Sequence, residues 1–303
     1  MVRRSEPMQG DRRRQRVLRH PLAITECIAL ALHDQRRRPQ PLQMGHSRLV
    51  RVEAVRFTVA NAEFTLMHEM GHLLISELQL PVLGREEDAA DQLGFMGLFL
   101  LQQEQHRDDF YAKLMDVADY WRMEWQNAER DGSPVPVWDS HALDAQRFYN
   151  IACLAYGSDP DLLDWVLEVS GLPVERALYC PDEYEQVAHA VQWFREHFGR
   201  SAAQPLQHRI KVVYDTPPAH LAGGTELLEK IRASGELEAV AAKASEAFAL
   251  PRDLTLRMST CGAPDAWFNR ISGELTLCYE RIAYFRDLAA ELPSVHQAAP
   301  AAQ

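Results

Sequence analysis

The chain has 303 residues, 47% of them hydrophobic, enough to bury a sizeable core in one large domain or two small ones. Its net charge of −11 argues against a general nucleic-acid binder, because neutralising phosphates needs a basic surface. No apolar run approaches the roughly 18 residues of a membrane-spanning helix, so no membrane span is expected.

Residues 1–43 carry arginine clusters at 3–4, 12–14 and 36–38 and read as a basic, flexible arm. Within it, "HPLAITECIALALH" at 20–33 is short and contains Glu26. No small-residue cleavage pattern follows, so no signal peptide is read there. Residues 44–200 form a helical part. Helical periodicity runs from about 54 to 80 and stops because Pro81 cannot continue it. Further helical stretches are expected at 85–105, 108–129, 142–157, 160–171 and 181–199, with a loop at 131–140. Residues 201–207 read as a linker, and the character then changes. Strands are expected at 209–215, 254–260 and 273–279, helices at 225–234, 236–250 and from 280 to about 291, and a frayed tail at 293–303. Mostly helix with one small sheet is an α+β fold. The segment 208–292 is expected to pack on the helical part as one domain.

Five cysteines are present, and Cys153, Cys180, Cys261 and Cys278 fall into two local pairs that leave Cys27 over. That placement suits two disulfides in an oxidising compartment, and it equally suits buried free thiols in a reducing one. No CxxC pair occurs, which argues against a thiolate metal site.

The chemistry concentrates in "FTLMHEMGHLL" at 64–74. On a helix, positions i and i+4 share a face, so His68 and His72 direct their imidazoles at one point, the geometry a single metal ion needs. Zinc takes neutral imidazole readily and in catalytic sites has three protein ligands. Glu69 follows the first histidine, where it is placed to act as a general base. The HExxH pattern is short, so context decides. The next helix opens with Glu86, Glu87 and Asp88, then Asp91, and turns apolar at once. Glu87 and Asp91 have the spacing of a glutamate ligand and an aspartate that orients a ligand histidine through its other ring nitrogen, with Glu86 the rival ligand. A solvated, dipole-favoured helix start is the bland alternative. Gly71, between the two histidines, lets another segment approach closely.

The stretch "HEMGHLLISELQLPVLGREEDAADQLG" at 68–94 resembles DUF4344, a bacterial family of unknown function grouped with the metallopeptidases. The resemblance continues through "HALDAQRFYNIACLAYGSDP", "CPDEYEQ" and "LPRDLTLRMSTCGAPDAWFNRISGELTLCYE", about four-fifths of the chain. It implies a predominantly helical, zincin-like fold with a small sheet, and a zinc peptidase acting on peptide or protein substrates. His68, His72 and Glu87 would hold Zn2+, Asp91 would stand behind a ligand, and Glu69 would serve as general base. His141 and Tyr149 are candidate transition-state stabilisers by residue type, and Arg147 is expected in a structural ion pair. The family is typically exported, so an extracytoplasmic location is suggested. In the family the strand segment precedes the HExxH helix, whereas here it follows, as in a circular permutation. Asp265 stands where asparagine is expected, and no role is assigned to it. A degenerate zinc-stabilised binding domain and a metal-dependent amidase on non-peptide substrates are the alternative readings.

Overall fold

The computed structural model describes residues 46–105, 110–201 and 203–292. The expectations for the basic arm, for Cys27 and for the tail lie outside them. Helix α1 (His46–Leu78) is the axis of the molecule. From Phe57 onward it buries Ala60, Phe64, Met67, Met70, Leu73 and Leu74, a three- and four-residue stripe that widens until it is apolar on several sides. It ends in a left-handed Gln79, with the Leu80 N–H returning to the Ile75 carbonyl at 3.0 Å, one residue before Pro81.

Helices α2 (Glu86–Gln105), α3 (Phe110–Asp131) and α4 (Asp144–Ser158) build outward from α1. A buried Lys113–Glu63 pair at 3.1 Å ties α3 to α1. The stretch expected to be helical at 160–171 is a turn followed by α5 (Trp165–Ser170), and a further short helix, α6 (Val174–Ala177), precedes α7 (Cys180–Phe198). The Cys153–Cys180 disulfide joins α4 to the start of α7.

Strand β1 (Ile210–Tyr214) leads through α8 (Gly224–Ser234) and α9 (Glu236–Ala247) to β2 (Leu254–Ser259), a crossover that lets the two strands run parallel. Strands β3 (Ala266–Asn269) and β4 (Glu274–Cys278) complete a sheet of order β1-β2-β4-β3. β4 is parallel to β2, and β3 is antiparallel to β4. The sequence pattern predicts only loop at 261–272. β3 is too short to show alternation and sits between Pro264 and Gly273, both strand-breaking signals. The Cys261–Cys278 disulfide closes this segment, a loop closure contributing about 3 kcal/mol in the chain-entropy model. Helix α10 (Tyr279–Leu288) and a 3-10 turn (Ala289–Glu291) pack back on α1.

One core joins helices and sheet: Phe57, Leu73, Phe95 and Leu114 belong to the same cluster as Leu256, Met258, Leu275 and Phe285. Arg252 before β2 bonds Glu77 of α1 through both terminal carboxylate oxygens, at 2.6 and 3.0 Å, which holds the sheet beside the second half of α1. No helix among the described residues is long and apolar enough to cross a membrane.

Two glycines set the spacing of α1 and α2. A Cβ on Gly71 would lie 3.1 Å from the Ala90 Cα, and one on Gly94 would lie 3.1 Å from the His68 backbone nitrogen. The obstruction at Gly94 is helical backbone, which does not yield as a side chain does. Gly94→Ala is therefore expected to destabilise the fold by about 1–3 kcal/mol despite the better helix propensity of alanine, as measured by urea unfolding.

Candidate metal centre

The close approach of α1 and α2 places the start of α2 against the His68–His72 face. His68 Nδ1 lies 2.8 Å from Asp91 Oδ1, and His72 Nδ1 lies 2.9 Å from Glu86 Oε1. A carboxylate beside Nδ1 accepts a hydrogen bond from the ring N–H there, which leaves Nε2 as the acceptor of the neutral imidazole. The two Nε2 atoms are 3.2 Å apart, and Glu87 Oε2 lies 3.0 Å from that of His72 and 3.4 Å from that of His68. Three lone-pair-bearing atoms thus face one point. His141, from the loop before α4, brings its Nε2 to 3.0 Å from the same Glu87 oxygen, while its Nδ1 is held by Asp139 at 2.9 Å.

The carboxylates behind the imidazoles are themselves braced. Arg147 of α4 grips Asp91 through Nε at 2.8 Å and Nη2 at 2.5 Å, and its guanidinium lies 3.5 Å over the Trp121 ring of α3. Glu86 pairs with Arg270 from the β3–β4 turn. Arg85 donates to the His141 carbonyl at 3.1 Å and so fixes the loop that carries this third imidazole.

Acceptors this close call for positive charge among them. Burial works against a protonated His72, but the Glu87 and Glu86 hydrogen bonds overcome it and raise the pKa to about 9. His68 is raised too: burial opposes it, and the bonds to Asp91 and Glu87 prevail. Burial disfavours ionised Glu87, yet its bonds to His141, His68 and His72 hold it far below the usual carboxylate range. Glu69, 7% exposed, is pushed up by burial, while His68 and His72 pull it down and Glu87 and Asp265 add to the rise. An acid raised and an acid depressed side by side is the pattern of groups with different tasks.

His68 and Glu69 open onto a cavity of about 450 Å³ whose walls come from α1, α3, the 133–145 loop and the start of β3. The chain matches the family model described as "Putative metallopeptidase" over residues 24–194 and 219–301. The chain belongs to the DUF4344 family. No curated protein and no solved structure matches it.

In this DUF4344 chain the structure brings His68, His72, Glu87, Asp91 and His141 together and sets Glu69 in the cleft beside them. It does not bring Tyr149. Arg147 faces Asp91, and a residue two further along α4 points to the opposite side of the helix, so Tyr149 packs against the cluster around Cys153 and Cys180. Glu86, the rival ligand, meets the outer nitrogen of His72 instead of the inner one. Asp139, Arg147 and Arg270 complete the surroundings. Of these, Asp139 has a local signal, its place two residues before a histidine, whereas Arg270 acts across 184 positions and has none.

The raised His72 has a measurable consequence. In metal-free protein its protonated ring stabilises the fold below its unfolded value of 6.5, and this contribution fades as the pH rises through about 9. The melting temperature of chelator-treated protein should accordingly fall between pH 6.5 and 9, and His72→Gln should flatten that part of the profile.

Proposed function

We propose that this chain is a zinc-dependent peptidase in which His68, His72 and Glu87 hold the metal. The observation that carries the reading is the convergence of two Nε2 atoms and one carboxylate oxygen with mutual separations of 3.0, 3.2 and 3.4 Å, both Nδ1 positions already being occupied by carboxylates. Ligands about 2.0–2.1 Å from a tetrahedral zinc lie about 3.3–3.4 Å from one another, close to these separations. Nitrogen and oxygen donors without thiolate fit zinc, and the carboxylates at Nδ1 raise the basicity of the imidazoles as ligands.

When bound, the metal supplies Lewis acidity, which polarises a carbonyl and makes water a nucleophile near neutral pH. Glu69 accepts the proton of the attacking water and delivers it to the leaving amine. Its burial raises its pKa and so strengthens it as a base for that transfer. His141 lines the cleft with Nδ1 held by Asp139 and Nε2 set against Glu87; with Glu87 given over to the metal, Nε2 would be free to donate to the carbonyl oxygen as negative charge develops there. Arg147 and Asp91 act through His68 by fixing its ring. β3 favours an extended peptide as substrate, because it is the edge of the sheet and its first residue, Ala266, borders the cleft together with the preceding Asp265. A circular permutation belongs to the same proposal, and the packing of the turn at Ala289–Glu291 on α1 is compatible with it.

Glu69→Gln should lower peptide hydrolysis by about 10²–10⁴-fold while leaving one zinc per chain, as measured by a peptide-library digest and metal analysis on one preparation. Loss of zinc with activity would make Glu69 a ligand instead of a base, and unchanged hydrolysis would overturn the mechanism. For the ligands, Glu87→Ala should remove most zinc affinity, whereas Glu86→Ala and Asp91→Asn should cost about 10–100-fold, as partners of a ligand do. A larger loss from Glu86→Ala than from Glu87→Ala in a competitive chelator titration would reverse the assignment.

A further inference from the structure

The cations that line the cleft are committed, with one exception. Arg147 is bound to Asp91, His68 to Asp91 and Glu87, and His141 to Asp139 and Glu87. Arg281, at the start of α10, lines the same cleft and forms no ion pair among the described residues. Its guanidinium lies against the adjoining rings of Tyr120 and Phe285, 5.2 and 4.8 Å from their centroids, so it is positioned without any anion. Its Nε is buried with no hydrogen-bond partner. The contact from Nη1 to the Pro264 carbonyl is 3.5 Å, beyond the ordinary range of about 2.7–3.2 Å. The nearby Glu124 accepts from the Tyr284 hydroxyl and meets Arg281 only through longer-range charge attraction. A charged fork held in place by aromatic rings, with its donors unspent, is a preorganised receptor for a planar anion.

We propose that Arg281 is a specificity-determining residue that binds a carboxylate of the peptide substrate, either its C-terminal carboxylate or an acidic side chain. The proposal rests on the peptidase reading. Carboxylates elsewhere on the cleft walls, at Glu129 and Asp144, repel an anion from those positions and favour its reception at Arg281.

The test measures binding separately from turnover. Metal-loaded Glu69→Gln protein is titrated with acetylated peptides, and the fluorescence of Trp121 and Trp125, both cleft residues, reports binding. One peptide pair differs only in a free or amidated C-terminus. The second pair has an amidated end and differs only in an internal glutamate or glutamine. The carboxylate member of one pair should bind about tenfold tighter or more, and the pair that discriminates identifies the source of the carboxylate. Arg281→Met should abolish that preference and Arg281→Lys should keep part of it. Equal binding within both pairs, no binding of any peptide, or a preference that survives Arg281→Met would overturn the proposal. If Arg281→Met does not fold, Arg281→Lys and the two peptide pairs on the unaltered arginine still decide. Wild-type protein that discriminates in binding but cleaves none of the peptides would refute the peptidase reading and leave the Arg281 site standing.

Discussion

Everything at this site depends on three acceptor atoms being forced to within about 3.4 Å of each other. Left alone, such an arrangement is unfavourable, because buried lone pairs without donors cost free energy. It persists because each group is held from behind: His68 by Asp91 and Arg147, His72 by Glu86 and Arg270, and Glu87 by its place on α2 beside them. The backbones can come close enough only because Gly71 and Gly94 remove the side chains that would separate α1 from α2. Packing of two helices thus fixes the positions of ionisable atoms, and those positions create a demand for a cation.

The braces also connect distant parts of the chain. Arg147 links α2 to α4 and stacks on Trp121 of α3, while Arg252 and Arg270 bind the sheet to α1 and α2. Folding of the helices and docking of the sheet are consequently coupled to the electrostatics of the centre. A ligand that neutralises the three acceptors stabilises the native state alone, so its binding free energy is also folding free energy.

Much of this was legible in the sequence for definite reasons. HExxH has a fixed helical geometry, the next helix starts only a short turn later, and its acids recur at a one-turn spacing, so His68, His72, Glu87 and Asp91 follow from local rules. The long helices were readable because their apolar periodicity extends over several turns, as in α1 and α3. β3 was hidden by its four-residue length. Choosing Glu87 over Glu86 for the inner position turned on a rotation of about 100° between adjacent helix residues, which sequence spacing only suggests. The partners Arg270 and Arg281 were not legible at all, because they reach the cleft through tertiary packing of the sheet and α10. Tyr149 shows the opposite failure. Its residue type suited a catalytic cleft, but the helix face settled by Arg147 directs it elsewhere.

We propose one zinc ion held between α1 and the start of α2 by two imidazoles and one carboxylate. X-ray absorption spectroscopy at the zinc edge on protein loaded with one equivalent tests it most directly. The spectrum should show nitrogen and oxygen neighbours at about 2.0–2.1 Å, with multiple-scattering features of two imidazoles and no sulfur. A sulfur shell at about 2.3 Å, the signal of one imidazole or none, or failure to retain zinc would contradict it.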